Sequence, residues 1–168
     1  MRKLILVLLF PLISFSPLVS FGQFNMQLFP NYKSEILNKN ELLSATLEKN
    51  ENISTITISF SDDPSFKSIK NKELINWLLS ENVELELKPV YQDLNIIKKE
   101  VIYIKNLGDC FHLVYSGNHI ETNIMSFNTR TQFIKNDNLY VISTASLPEE
   151  SFSRNYQDYL KMFSTITF

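Results

Sequence analysis

The chain predicts an α+β fold, with helices packed on both faces of a mostly antiparallel β-sheet. Three observations carry that expectation. Runs of period-two alternation follow one another without the strict strand–helix alternation of a parallel sheet. Two segments switch instead to helical periodicity, one in mid-chain and one near the C-terminus. Phe111-His112-Leu113-Val114-Tyr115 is largely apolar on both of its faces, as expected of a central strand covered on each side.

The N-terminus reads as an export signal. Met1-Arg2-Lys3 is positively charged, Leu4 to Val19 is almost wholly apolar and uncharged, and Ser20-Phe21-Gly22 is the small-x-small triplet that a signal peptidase accepts. Cleavage is expected after Gly22, with Gln23 starting the mature chain. A retained anchor fits less well, because Pro11 and Pro17 interrupt a run already short for a ~20-residue span. Residues 23–168 are then a single domain of 146 residues, enough to build a core without staples. Cys110 is the only cysteine and is expected to be buried and inert.

Within the domain, Leu43, Ala45 and Leu47 alternate with polar residues, as do Ile56, Ile58 and Phe60 beyond the polar stretch Lys49 to Asn52. The pair predicts a β-hairpin with one buried face. Asp62-Asp63-Pro64 ends its second strand as turn chemistry. From Ser68 to Ser80 the stripe Leu74, Ile75, Leu78, Leu79, with Trp77 at its edge, predicts an amphipathic helix. Val83, Leu85 and Leu87 alternate with Glu84, Glu86 and Lys88 and predict a strand stopped by Pro89. Further strands are expected over Ile96–Lys105, Cys110–Tyr115, about Glu121–Ile134 and Leu139–Ser146, the last two joined by a tight turn at Lys135-Asn136-Asp137-Asn138. After Pro148, Glu149-Glu150 favours a helix start electrostatically. Phe152, Tyr156, Tyr159, Leu160 and Phe163 then form a helical stripe, with Arg154, Asn155, Asp158 and Lys161 expected to face water.

The C-terminal segment resembles the end of PsbP-like domains. The residues that carry the likeness are Tyr140-Val141-Ile142-Ser143-Thr144-Ala145, then Pro148 and Phe152, then the closing Phe163-Ser164-Thr165-Ile166-Thr167-Phe168. Phe29-Pro30-Asn31-Tyr32 loosely matches the early part of the same pattern, and the resemblance covers the last 35 or so residues closely and the rest in layout. It implies an α/β/α sandwich built on an antiparallel sheet, in a family made mostly of adaptors and accessory subunits. It carries over no functional residue.

Chemistry is sparse. Cys110, His112, His119 and Met125 are of the types that hold copper, and residues 110 and 112 share a strand face. Their spacing matches no metal motif, so they read first as core and loop residues. Ser116-Gly117 lacks the Gly-x-Ser-x-Gly elbow of a serine hydrolase, and only Gly108 and Gly117 remain after processing, too few for a phosphate loop. The mature chain carries 14 basic against 18 acidic residues, and its lysines are scattered, which argues against nucleic acid and anionic membrane surfaces as partners. With 13 Phe, 7 Tyr and 1 Trp, some aromatic surface is available to line a groove. The reading is an exported, non-enzymatic binding or accessory domain without a cofactor, whose partner is a protein or an apolar small molecule, and which is not membrane-embedded after processing. A small secreted hydrolase with an unrecognised site is the alternative.

Overall fold

In the computed structural model, residues 18–21, 24–30, 32–35, 41–49, 52–147 and 149–168 are described. Along them run β1 (Leu18–Phe21), β2 (Phe24–Gln27), β3 (Lys33–Glu35), β4 (Glu41–Lys49), β5 (Asn52–Ser61), α1 (Asn71–Ser80), α2 (Val83–Leu87), β6 (Tyr91–Ile104), β7 (Gly108–His119), β8 (Met125–Lys135), β9 (Asn138–Leu147) and α3 (Glu149–Phe163). A 3₁₀ turn over Pro64–Ser68 precedes α1. The strands β3-β4-β5-β9-β8-β7-β6 make one seven-stranded sheet, and every pairing in it is antiparallel. The α+β expectation therefore holds.

Most of the expected export signal, residues 1–17, lies outside the described residues, as does its cut between Gly22 and Gln23. Its last residues form β1, paired with β2 from Leu18↔Gln27 to Phe21↔Phe24. β2 is tied independently to the C-terminus, because Asn25 and Thr167 exchange two backbone hydrogen bonds of 2.9 Å.

Local chemistry sets the element ends. The carboxylate of Asp63 accepts from the Ser65 N–H at 2.8 Å and caps the 3₁₀ turn that begins at Pro64. Glu73 reaches back to the Lys70 N–H at 3.0 Å and fixes the start of α1. Asn136 and Asp137, at φ of 49° and 62°, are the two left-handed residues of the tight β8–β9 turn.

One expected strand is a helix. Alternation over Val83–Leu87 fits period two, but residues 83 and 87 are also one helical turn apart. Asn82 caps that turn by accepting from the Glu84 N–H at 3.2 Å. Val83 and Leu87 are then buried, and Leu85, which a strand would have placed beside them, is 70% exposed. Two smaller differences follow the same logic. Leu79 is exposed, so the α1 stripe is Leu74, Ile75 and Leu78. Residues 121–124 form a loop, and β8 begins only at Met125.

Successive side chains of a strand point to opposite faces, and β7 divides its own between two cores. Cys110 joins the larger cluster, with Met26 of β2, Ile56 and Ile58 of β5, Phe133 of β8, Ile142 of β9 and Tyr159, Met162 and Phe163 of α3. Phe111, Leu113 and Tyr115 join Leu74, Ile75 and Leu78 of α1 and Val83 and Leu87 of α2. Burying each such side chain is worth ~1.5–3 kcal/mol. In α3, Tyr159 and Phe163 are buried as expected, together with Met162. Phe152, Tyr156 and Leu160 are half-buried, Lys161 is exposed, Asn155 and Asp158, expected in water, are half-buried too, and the side chain of Arg154 lies outside those described. Ile166 is buried and Phe168 packs on Phe133 and Tyr140, anchoring the tail.

Candidate functional site

A groove of about 750 Å³ opens between α1 and the sheet. Phe66 and Ile69 enter it from the 3₁₀ turn and the residue after it, Leu74, Trp77 and Leu78 from α1, and Leu139 from the start of β9. These residues meet because α1 lies over β7 and β8 while the 3₁₀ turn before it meets β9, which leaves the apolar edge of the helix overhanging the strands. Leu74 and Leu78 are buried, while Trp77, the only tryptophan, is 57% exposed at the rim. The polar lining is Glu73 of α1, Glu86 of α2, and Arg130 and Gln132 of β8.

Those four polar groups are in different states. The Arg130 guanidinium donates to the Glu86 carboxylate at 2.6 Å, a charge-assisted bond that closes one side of the groove. Glu73 spends one oxygen on the Lys70 N–H. The side-chain carbonyl of Gln132 is buried and has no hydrogen-bond partner. An unpaired buried acceptor costs ~1–3 kcal/mol. In size and character the cavity fits small-molecule sites, which run to ~300–1,000 Å³ and are mostly apolar with a few placed polar groups.

Under α3 lies a different arrangement, a seam of buried hydroxyls. The Tyr159 hydroxyl stands 2.6 Å from Ser54 Oγ, 2.9 Å from Ser146 Oγ and 3.1 Å from the Ala145 carbonyl. Ser54 Oγ continues to the Tyr32 hydroxyl at 2.7 Å, and Asn155 Nδ2 donates to Ser146 Oγ at 3.3 Å. Thr129 and Thr144 pair at 2.7 Å alongside. Burial pushes the phenols of Tyr32 and Tyr159 up, so both stay protonated donors.

The four residues weighed from the sequence as a metal set are not brought together. Cys110 is wholly buried, its thiol 3.6 Å from the Gly108 carbonyl, and burial pushes its pKa up to about 12. His112 shares its strand face and is equally buried, between Thr131 Oγ1 at 2.9 Å and the Tyr156 hydroxyl at 3.2 Å. Burial holds this imidazole near pKa 4, against 6.5 ordinarily, with Glu100 opposing and Lys98 reinforcing the shift. His119 lies an odd number of residues on, so it faces the other side of the sheet, where its ring meets Tyr91 edge-on. Met125 pairs with Asn118 at the far end of the strand and is exposed. Among the described residues no group of three His, Cys, Asp or Glu side chains is placed to hold a metal. Neither histidine enters the groove.

No protein-family model matches the sequence, nor does any curated protein sequence. Solved structures do match. Cyanobacterial PsbP (CyanoP) from Synechocystis sp. PCC 6803 superposes with a TM-score of 0.62 at 10% identity, over 93% of this chain and 94% of that one. The fold is PsbP-like. LpqN of Mycobacterium tuberculosis, involved in cell envelope biogenesis, matches with a TM-score of 0.57 at 9% identity, over 86% of this chain and 83% of its own. A Pseudomonas aeruginosa protein of unknown function matches at 0.50 and 9% identity, over 89% and 94%. The PsbP-like layout thus spans nearly the whole chain and not only β9, α3 and the tail, which carried the sequence resemblance. At these identities it assigns no role to any groove residue.

Proposed function

We propose that this chain is an exported, non-enzymatic binding domain whose working site is the α1 groove, and that its ligand is an apolar small molecule. The observation that carries the reading is the groove itself: an apolar cavity of ligand size with Trp77 exposed at its rim. The placement of the two histidines favours binding over hydrolysis, since both lie outside the groove and the hydrogen bonds of His112 go to a threonine and a tyrosine. The accessory role implied by the PsbP-like resemblance points the same way. α3 on one side of the sheet and α1 with α2 on the other read as an α/β/α sandwich, supported by the way β7 splits its side chains between two cores.

Export rests on the N-terminal signal. It predicts secreted or periplasmic material whose N-terminal sequence begins at Gln23; recovery of a full-length membrane-bound product would refute it. No helix among the described residues is long and apolar enough to cross a membrane.

Titration with Nile red, a neutral apolar dye, tests the groove. The dye should brighten on binding and quench Trp77. Trp77→Ala and Phe66→Ala should each weaken the dye by about tenfold (~1.4 kcal/mol) with melting temperatures close to the parent. Dye binding that neither substitution alters would place the ligand elsewhere and overturn the reading.

A further inference from the structure

We infer that β6 is a dimerisation edge: two copies of this chain join antiparallel along residues 98–104, about a two-fold axis at Val101, to make one continuous sheet. β6 ends the strand order of the seven-stranded sheet, and among the described residues no strand pairs with its outer side. None of the residues lining the groove lies on β6, so the edge and the groove are independent.

What the edge offers follows from the alternation of an antiparallel ladder, in which successive residues bond first to one neighbour and then to the other. At one end of β7 the Ile120 N–H bonds toward β6, to the Val90 carbonyl, and the His119 N–H toward β8, to the Ile124 carbonyl. At the other end the Asp109 carbonyl also faces β8, where the Asn71 side chain bridges it to the Ile134 N–H. Odd-numbered residues of β7 therefore bond to β8 and even-numbered ones to β6. Lys99, Val101 and Tyr103 of β6 stand opposite Leu113, Phe111 and Asp109, so their own N–H and C=O groups point outward, unpaired.

The side chains do not guard this stretch. Natural edges are blunted by bulges and by charge. The register shifts of β6 fall between Gln92 and Asn95 and between Ile96 and Lys98, and from Lys98 to Ile104 the strand pairs with β7 without interruption. The Lys99 ammonium is drawn off to the Leu79 and Glu81 carbonyls, at 2.8 and 2.5 Å. Val101 is 43% exposed and Tyr103 76%, so apolar surface accompanies the free backbone groups.

A second copy fits because the stretch is self-complementary. With Val101 opposite itself, Lys99 meets the partner's Tyr103, Glu100 the partner's Ile102 and Lys98 the partner's Ile104, and no like charges stand face to face. Every outward group then pairs, three donors from each copy making six bonds between the chains. A centre at Glu100 would set that carboxylate against itself, and one at Ile102 would set Lys99 against the partner's Lys105.

One short strand from each copy is a small interface, below about 1,200 Å², so a Kd of ~10–100 μM is expected. Sedimentation velocity on the purified protein, from ~1 to ~500 μM, should show a reversible monomer–dimer equilibrium. Val101→Lys sets two ammonium groups against each other across the axis and should weaken the dimer at least ~10-fold, with the melting temperature of the dilute protein unchanged. Val101→Cys should give a disulfide-linked dimer on mild oxidation, because directly paired Cα atoms stand ~5.5 Å apart. Tyr103→Cys should not, since its counterpart lies four residues further along the partner strand, ~14 Å away. The native Cys110 is buried and does not compete. A monomer at every concentration overturns the inference and leaves the edge to a strand of another protein. A dimer that Val101→Lys does not weaken lies on another surface and overturns it equally. Crosslinking through Tyr103→Cys as fast as through Val101→Cys overturns the two-fold at Val101.

Discussion

Tyr159→Phe isolates the buried hydroxyl seam, because it removes one oxygen and leaves the ring in place. One assignment uses every hydroxyl proton: Tyr32 donates to Ser54, Ser54 and Ser146 donate to Tyr159, and Tyr159 donates to the Ala145 carbonyl. The substitution then strips two buried serine donors of their acceptor and one carbonyl of a donor. Ser54 and Ser146 are 2% and 0% exposed, so water does not replace the lost partner without rearrangement. An orphaned buried group costs ~1–3 kcal/mol; with some relief from rotation of the serine hydroxyls, the total is expected at ~2–4 kcal/mol. Urea unfolding should show a lower midpoint with an unchanged slope. Ser54→Ala in the Tyr159→Phe background should cost ~1 kcal/mol less than in the parent, since one orphan leaves with it. A Tyr159→Phe variant within ~0.5 kcal/mol of the parent, or strict additivity in that cycle, would refute the seam as a connected network.

Other perturbations probe the rest of the fold. Phe163→Ala empties a fully buried site and should cost ~3–5 kcal/mol, while Lys161→Ala removes a 67% exposed side chain whose ion pair with Asp158 is worth ~0–1 kcal/mol; equal melting temperatures would mean that α3 is not docked. Gly117→Ala would set a Cβ 3.0 Å from Tyr91 Cβ and 3.1 Å from the Gln92 carbonyl, so a loss of ~1–3 kcal/mol is expected in thermal melts, and a neutral result would deny that close approach. Cys110 should resist a thiol reagent in the folded protein and react on unfolding; rapid labelling of folded material would contradict its burial. His112 sets an acid limit. Its folded pKa, near 4, lies below the unfolded 6.5, so the folded state resists protonation. Stability is fully present above about pH 6.5 and falls by ~3 kcal/mol as pH drops to about 4. His112→Gln should flatten that part of the pH profile, and an unchanged profile would assign the acid loss to other groups.

Much of the fold is legible because burial imposes a period. Ile56 and Ile58 of β5, and Tyr159 and Phe163 of α3, fall where the alternation and the helical stripe put them. Val83–Leu87 misleads because five residues are too few to separate a period of two from one of 3.6, and only the Asn82 cap and the 70% exposure of Leu85 decide for the helix. The register between distant strands is not written in any local pattern. β5 pairs with β9 across most of the domain, from Ile53↔Leu147 to Ser61↔Leu139, a choice made by the packing of whole layers.

The two polar features differ in how far the sequence announces them. The seam leaves a trace: Ser54 shares its phase with Ile56 and Ile58, Ser146 and Thr144 with Ile142 and Tyr140, and Thr129 and Thr131 with Phe127 and Phe133. A hydroxyl in the apolar phase of a strand must find a partner when buried, so such positions point to a network before any coordinates exist. The groove leaves no comparable trace. Its lining is drawn from Phe66 to Leu139 across five elements, and Gln132 and Arg130 alternate in β8 with core residues as ordinary outward-facing side chains would. What distinguishes them is that α1 and α2 overhang this part of the sheet, turning a surface phase into a partly desolvated one. The same overhang binds Arg130 to Glu86 and leaves Gln132 unpaired. It is therefore the placement of two helices, and not any motif, that turns an open strand face into a groove.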